Sequence, residues 1–80
     1  MKQFEFNEKV SDESKPLTGF ALKLTRNMED AEDLLQDTML KAFSNKEKFQ
    51  EGTNLKGWLF TIMTNIFINK YRRAMKSRIF

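Results

Sequence analysis

The sequence predicts an all-α protein, a compact bundle of three helices with a possible fourth near the N-terminus. Apolar residues recur at i, i+3, i+4 and i+7 over three long stretches, and no stretch alternates as a half-buried strand does. A chain of 80 residues has room for one small hydrophobic core. We therefore expect a single bundle in which each amphipathic helix buries one stripe of side chains.

The first predicted helix runs from about Pro16 to Arg26. Pro16 suits the first turn of a helix, where its missing N–H costs nothing. Residues 1–15 are polar and weakly patterned, so we expect a partly flexible segment or a short helix near residues 8–14, followed by the helical domain over residues 16–78. The inward face of the first helix has apolar residues at helical spacing: Leu17, Phe20, Ala21 and Leu24.

The second predicted helix runs from about Met28 to Ser44. Asn27 is a good N-cap, Asp30 lies three residues further on, and several acids occupy the first turns, where the helix dipole favours them. Its inward stripe is broad: Ala31, Leu34, Leu35, Thr38, Met39 and Ala42.

A polar segment with one glycine, residues 45–53, predicts a loop. The third helix then begins at Asn54, another N-cap candidate, and runs to about Lys76. Its core face is strongly apolar: Leu55, Leu59, Ile62, Met63, Ile66 and Phe67.

Composition argues against several classes of protein. The absence of cysteine and histidine removes disulfides, thiolate and imidazole chemistry and the usual transition-metal ligands, so we expect no metal and no cofactor. No apolar run approaches the length of a membrane span or a signal peptide, which favours a cytoplasmic protein without membrane insertion. There is no glycine-rich phosphate loop, and Asp33 and Asp37 share one helix face rather than a cleft. We therefore expect no enzyme.

Charge is divided unevenly between the two halves of the chain. Residues 1–40 carry five cations and nine anions, whereas residues 41–80 carry nine cations and two anions. From Asn54 to Phe80 there is no acid at all. Such asymmetry predicts two different partners, one of them a polyanion.

The acidic helix offers a candidate docking face. Asp33, Gln36 and Asp37 are spaced i, i+3, i+4, and Leu40 extends the same face. Carboxylates beside an apolar residue suit a basic partner helix, because they accept bidentate bonds from arginine. The alternative is a solvated face whose acids serve only the helix dipole.

The loop and third helix offer candidate nucleic-acid contacts. Phe49 can stack on an unpaired base, and Asn65 can read a base edge with its amide, whereas the alternative for Phe49 and Trp58 is core packing. Cations at the end of the helix can follow a phosphate backbone or merely stabilise the C-terminus. The dipole does not explain Lys56, which lies near the helix N-terminus. The cations concerned are Lys56, Lys70, Arg72, Arg73 and Lys76, with Asn69 and Tyr71 as neutral neighbours.

Three segments together resemble domain two of the extracytoplasmic-function (ECF) sigma factors, also called sigma-70 region 2, over roughly residues 17–73. They are EDAEDLLQDT at 29–38, GTNLKGWLFTI at 52–62 after the pair Lys48 and Phe49, and NIFINKYRR at 65–73. The resemblance implies a domain whose second helix docks on the beta-prime clamp helices of core RNA polymerase. Its loop and third helix recognise the minus-ten promoter element and hold a base flipped from the non-template strand.

On this basis the predicted polymerase-binding residues are Asp33, Gln36, Asp37 and Leu40, and the predicted DNA-binding residues are Phe49, Thr53, Asn54, Lys56, Trp58, Asn65, Asn69, Lys70, Arg72 and Arg73. A complete family member carries a second helical domain, so we expect this chain to be a fragment of a longer protein. An anti-sigma factor is a further expected partner. The alternative function is a protein-interaction module that does not contact DNA.

Overall fold

The computed structural model describes residues 3–72, and this part of the chain consists of helices and turns without a strand. The all-α prediction is thereby confirmed. Four α-helices are present in residues 3–72: α1 (Gln3–Asp12), α2 (Ser14–Thr25), α3 (Met28–Ser44) and α4 (Leu55–Ile66). A short 3-10 turn (Lys46–Lys48) follows α3, and a π-helical segment (Phe67–Arg72) continues α4.

The N-terminal helix is longer and packs more deeply than the sequence predicts. The expected short helix near residues 8–14 is instead α1, which begins at Gln3. Phe6 and Val10 lie one turn apart and are 2% and 0% exposed. The few apolar positions of this ten-residue helix make a weak pattern, yet Phe6 and Val10 bury one side of it in the core. The hydrophobic core therefore extends N-terminal of the boundary predicted at residue 16.

A tight turn joins α2 to α3. Arg26 adopts a left-handed conformation (φ 56°), and its N–H donates to the Leu22 carbonyl at 2.8 Å, which closes the end of α2. The next residue, Asn27, accepts a hydrogen bond from the backbone N–H of Asp30 at 3.0 Å. The predicted N-cap of α3 is confirmed, and α3 has the predicted bounds.

The core lies where α3 packs between α2 and α4. Its centre consists of fully buried side chains from all three helices, and every residue of the predicted inward stripes is buried or partly buried. Thr38 is buried as well, but its hydroxyl donates to the Leu34 carbonyl at 2.7 Å, so no polar group is left unsatisfied there. The largest fully buried apolar side chains are Leu17, Leu34, Leu59, Met63 and Val10.

The π-helical segment changes which side chains share a face. In a regular α-helix, residue i+5 lies about 140° around the axis from residue i. In a π-helix, hydrogen bonds join i and i+5, so these positions come close to alignment. Lys70 lies within this segment, whereas Asn65 lies in the α-helical part before it. The third predicted helix was expected to reach about Lys76, a position that lies outside the described residues.

Candidate functional site

A groove runs between the second half of α3 and α4. It consists of two adjoining depressions that share Lys41 and Ile62, one of about 350 Å³ near the π-helical segment and one of about 200 Å³ near the loop. We call this feature the α3–α4 groove. Its lining combines cations, amides and apolar side chains: Lys41, Asn45, Lys48, Trp58, Ile62, Asn65, Ile66, Asn69 and Lys70.

The α3–α4 groove is basic at its rims and apolar at its floor. Lys41, Lys48 and Lys70 are exposed, whereas Trp58 and Ile62 are partly buried. No acid is among the lining residues in the described part of the chain. A cationic channel with an aromatic floor can hold a polyanion that also carries planar, apolar groups. The sequence had indicated Trp58 and Lys70 but missed Lys41, Asn45 and Lys48, because they belong to segments assigned to other roles.

Two amides lie at the π-helical end of the groove. Asn65 and Asn69 are both exposed and stand one turn apart. Within residues 3–72, neither side chain forms a hydrogen bond to another protein group, so their donors and acceptors face solvent. Each amide offers two donors and one acceptor, which is enough to read the edge of a nucleobase. The structure thus brings together three of the predicted residues, Asn65, Asn69 and Lys70.

Phe49 lies in the core and not on the groove. Its side chain is 9% exposed, and its ring centroid lies 5.1 Å from that of Trp58 and 6.0 Å from that of Phe6. An aromatic ring covered in this way has no open face for a base. The structure therefore favours the packing alternative for Phe49 over base stacking, because α1 supplies the ring of Phe6 that the sequence did not place there.

Trp58 both packs against core rings and lines the groove. Its ring packs against Phe6 at 6.0 Å and against Phe49, and its outer edge lines the loop-side depression. Phe6 and Phe49 therefore hold Trp58 in position from the core side. A fixed aromatic floor costs little conformational entropy when a planar ligand binds.

The loop before α4 is shaped by its backbone. Gly52 has φ 87°, a conformation that favours glycine, and the Thr53 hydroxyl donates to the Gln50 carbonyl at 2.5 Å. Asn54 is the N-cap residue of α4, as predicted, although its side chain makes no capping hydrogen bond. Thr53 and Asn54 are exposed beside the N-terminus of α4, and neither lines the α3–α4 groove in the described residues.

Lys56 lies on a different flank of α4. Nine residues separate it from Asn65, which corresponds to about half a turn around a helix. Its ammonium stands 5.9 Å from the ring centroid of Phe60, and Phe60 stacks on Phe20 of α2 with centroids 4.6 Å apart. The structure does not bring Lys56 to the groove, and a cation–π contact supplies a local reason for a lysine there.

The three remaining predicted cations give less information. The backbone of Arg72 belongs to the π-helical segment. Arg73 and Lys76 lie outside the described residues.

The outer face of α3 carries the predicted docking residues. Asp33, Gln36 and Leu40 are exposed there, Leu40 at 66%. Phe43, which the sequence reasoning missed, is 38% exposed and adds a second apolar side chain one turn further on. Its ring meets the ring of Phe6 edge-on at 6.4 Å. Phe43 lies three residues after Leu40, a spacing that puts both side chains on the same side of α3 and that is visible in the sequence.

Asp37 and Lys70 form an ion pair between the two candidate surfaces. Lys70 Nζ lies 2.9 Å from Asp37 Oδ2, and the side chains are 64% and 32% exposed respectively. The sequence assigned Asp37 to an acidic docking face and Lys70 to a basic face with a different partner. The structure corrects the expectation that these faces are separate, because they share an edge where α3 meets the π-helical segment.

No helix within residues 3–72 combines the length and apolar character that crossing a bilayer requires. No cluster of three or more acids suited to holding a metal ion occurs in the same residues.

Comparisons with known proteins agree with this architecture. A family model described as Sigma-70 region 2 matches residues 10–77. The chain is 47% identical over 60 residues to the ECF RNA polymerase sigma factor EcfG of Rhodopseudomonas palustris (strain TIE-1), a match that covers 75% of this chain and 33% of that protein. It is 35% identical over 74 residues to the ECF RNA polymerase sigma factor SigE of Mycolicibacterium smegmatis, covering 92% and 28%. The chain therefore spans about a third of the length of these curated relatives.

Among solved structures, the sigma factor RpoE in a complex with the anti-sigma factor NepR from Bartonella quintana matches with a TM-score of 0.83 and 37% identity. The match covers 91% of this chain and 46% of that one.

Proposed function

The chain belongs to the sigma-70 region 2 family, and from this premise we propose that it joins core RNA polymerase to the minus-ten promoter element and helps to open the DNA there. The resemblance to domain two of an ECF sigma factor is confirmed by the family match over residues 10–77 and by the ECF relatives. The observation that carries the proposal is the α3–α4 groove, with its lysine rims, aromatic floor and solvent-facing amides.

The groove fits a single DNA strand better than a duplex. Its lysines can contact successive phosphates, and each neutralised phosphate releases counterions. Between the rims, an unstacked base can rest on Trp58 in the loop-side depression, and Asn65 and Asn69 can contact the edge of another base in the adjoining depression. A paired base offers neither its Watson–Crick edge nor its face. Binding in this groove therefore favours the opened strand over the closed duplex.

Phe49 takes a supporting role in this proposal. The ring sits behind Trp58, so its removal would loosen the floor of the groove instead of removing a contact with DNA. Lys56 is not assigned to the groove, because it lies about half a turn around α4 from Asn65. Thr53 and Asn54 are exposed at the N-terminus of α4, where backbone N–H groups favour an anion, so we keep them as secondary phosphate contacts. Arg72 and Arg73 remain predicted phosphate contacts.

The outer face of α3 is the proposed docking surface for the beta-prime clamp helices of polymerase. Asp33 and Gln36 offer oxygen acceptors, and Leu40 with Phe43 supplies exposed apolar area beside them. Such a mixture resembles a protein interface, in which apolar anchors lie next to charge-assisted hydrogen bonds.

The role is non-enzymatic, because the free energy for opening DNA comes from binding shared with polymerase, and we place the protein in the cytoplasm. An anti-sigma factor is a candidate regulator, since one structural relative is described in a complex with NepR. If the α3–α4 groove binds no DNA, the protein-interaction module is the function that remains.

The decisive experiment measures the affinity of the chain for single-stranded minus-ten DNA across a salt series. We expect the logarithm of affinity to fall with the logarithm of salt, and Lys48→Gln to reduce the magnitude of that slope by about 0.7, the value for one phosphate on a single strand. The matched control is Lys56→Gln, which removes the same charge from the opposite flank of α4 and should leave the slope unchanged. Equal effects of the two variants, or a flat salt response of the unmodified chain, would contradict the groove.

The docking surface needs its own measurement with core RNA polymerase. Leu40→Asp should weaken binding at least tenfold, because it places a charge where an apolar contact is expected (about 1.4 kcal/mol). Glu8→Arg alters an exposed acid on α1 and should not change the affinity. Unchanged binding of Leu40→Asp would remove α3 from the polymerase interface without affecting the DNA proposal.

A further inference from the structure

We propose that Phe6 is a positioning residue of the DNA site: it acts through Trp58 and determines how strongly a base, as distinct from a phosphate, contributes to binding. The inference deepens the proposed function and rests on it, because it requires an unstacked base on Trp58. It makes α1 a part of the DNA site, although the family match begins at residue 10 and Phe6 precedes it.

Phe6, Phe49 and Trp58 form a closed triangle of rings. The ring centroid of Phe6 lies 6.0 Å from that of Phe49 and 6.0 Å from that of Trp58, and the third side of the triangle is 5.1 Å. All three separations are typical of aromatic rings in contact. Because each ring contacts the other two, Trp58 cannot tilt or slide without losing contacts to both neighbours.

Phe6 and Phe49 restrain Trp58 from separate parts of the chain. The planes of Phe6 and Trp58 are inclined at 68°, an edge-to-face arrangement, whereas those of Phe49 and Trp58 are inclined at 48°. Phe6 belongs to α1, and Phe49 belongs to the loop before α4. Without Phe6, Phe49 is the one ring contact of Trp58 that remains within residues 3–72.

Phe6 reaches Trp58 because α1 is docked on the bundle. An isolated helix of ten residues is marginal in water, so α1 depends on its buried side chains, with Phe6 2% exposed and Val10 0% exposed. Both side chains anchor the helix, but only Phe6 brings a ring to the indole. The two anchors of α1 therefore allow a comparison between holding the helix and positioning Trp58.

An indole that is fixed in advance favours the base more than the phosphate. A mobile side chain has to be ordered when a planar ligand stacks on it, and the entropy that is lost lowers the affinity. The lysines at the rims bind phosphates through their charge and do not depend on the orientation of the indole. Loss of the Phe6 ring should therefore weaken the contribution of one base and leave the salt dependence unchanged.

Trp58 reports on its own position, because it is the single tryptophan of the chain. Phe6→Leu keeps an apolar side chain but removes the ring. In the free, folded chain we expect acrylamide to quench the fluorescence of this variant more readily, and its anisotropy to fall. Val10→Ala is the matched control: it trims the other anchor of α1, so it should lower the midpoint of urea unfolding and leave the fluorescence unchanged. Equal changes in both variants, or none in Phe6→Leu, would overturn the positioning role.

A second experiment measures binding to single-stranded minus-ten DNA in which each base in turn is replaced by an abasic nucleotide. In the unmodified chain one position should lose about tenfold in affinity, within the range of base–aromatic stacking. In Phe6→Leu that loss should fall to about threefold or less, and Trp58→Leu should abolish it. A variant that is merely less folded binds every DNA more weakly by the same factor. Its ratio of intact to abasic affinity stays unchanged, as we expect for Val10→Ala.

The results distinguish this inference from the proposed function. An undiminished abasic loss in Phe6→Leu, or a reduced salt slope in its place, overturns the role of Phe6 and leaves the groove intact. A change of the ratio by Phe6→Leu in a chain that already carries Trp58→Leu overturns it too, because Phe6 then acts through another residue. If no abasic position weakens binding of the unmodified chain, no base rests on Trp58, and the base contact of the proposed function fails together with the inference.

Discussion

The two ends of the α3–α4 groove differ in how their side chains are packed. At the loop end, aromatic rings pack on one another, and Trp58 is supported by Phe49 and Phe6. At the π-helical end, the side chains of Asn65 and Asn69 are exposed to solvent, and Lys70 forms an ion pair with Asp37. One end is therefore part of the hydrophobic core, and the other is a polar surface.

This difference separates residues that shape the groove from residues that are proposed to bind a ligand in it. A substitution at the loop end should change stability first and binding only as a consequence. A substitution at the π-helical end should change binding while the fold stays intact. Aromatic residues near a predicted nucleic-acid site are therefore poor evidence of stacking until their burial is known.

The largest expected effect is at Phe49. Phe49→Ala should lower the free energy of unfolding by about 3 kcal/mol, because it empties space between Phe6 and Trp58. Chemical denaturation measures this directly. Phe43→Ala, which removes a more exposed ring from the same cluster, should cost at most about 1 kcal/mol. If Phe49→Ala leaves stability unchanged but abolishes DNA binding, the ring is a stacking platform and the distinction between the two ends fails.

An intermediate effect is expected at Asn65. Asn65→Ala should weaken binding to single-stranded minus-ten DNA about tenfold, the size of one or two hydrogen bonds to a base. The free energy of unfolding should change by less than about 0.5 kcal/mol, because the amide is exposed. Asn7→Ala on α1 is the control and should alter neither quantity. A loss of stability comparable to that of Phe49→Ala would show that the π-helical end is structural too.

The smallest effect is expected in the loop backbone. Gly52→Ala should destabilise the chain by about 1 kcal/mol, because φ 87° is strained for any residue with a side chain. Gly19→Ala serves as the control: it lies within α2 with nothing near its Cβ position, so it should stabilise by about 0.5 kcal/mol. If both variants stabilise the chain in thermal unfolding, the loop has no fixed conformation, and the loop end of the groove is less rigid than its rings suggest.

Local patterns accounted for most of the fold and part of the site. The bounds of α3 and its N-cap at Asn27 follow from a regular stripe of apolar residues and one short polar side chain, both of which act within a few residues. The outer-face residues Asp33, Gln36 and Leu40 are exposed as predicted, because helical periodicity determines which side faces away from the core.

The structure departs from the sequence-based expectations where distant segments meet. Phe49 was proposed as a stacking residue because its sequence neighbours are polar, but its spatial neighbours Phe6 and Trp58 bury it. Lys56 was grouped with the other cations by charge, although the helix turns it towards Phe60. Lys41 was missed as a groove residue because it lies on α3, the helix that the sequence assigned to docking.

By itself, the sequence determined the helical class, the positions of the main helices, the division of charge and the family. All of these depend on residue type and short spacings along the chain. Only the tertiary structure decided that α1 completes the core, that the groove joins α3 to α4, and that Asp37 meets Lys70 across 33 residues. The physical reason is that burial and ion pairing depend on distances in space between residues that are far apart in the sequence, and helical periodicity describes only residues that are close in the sequence.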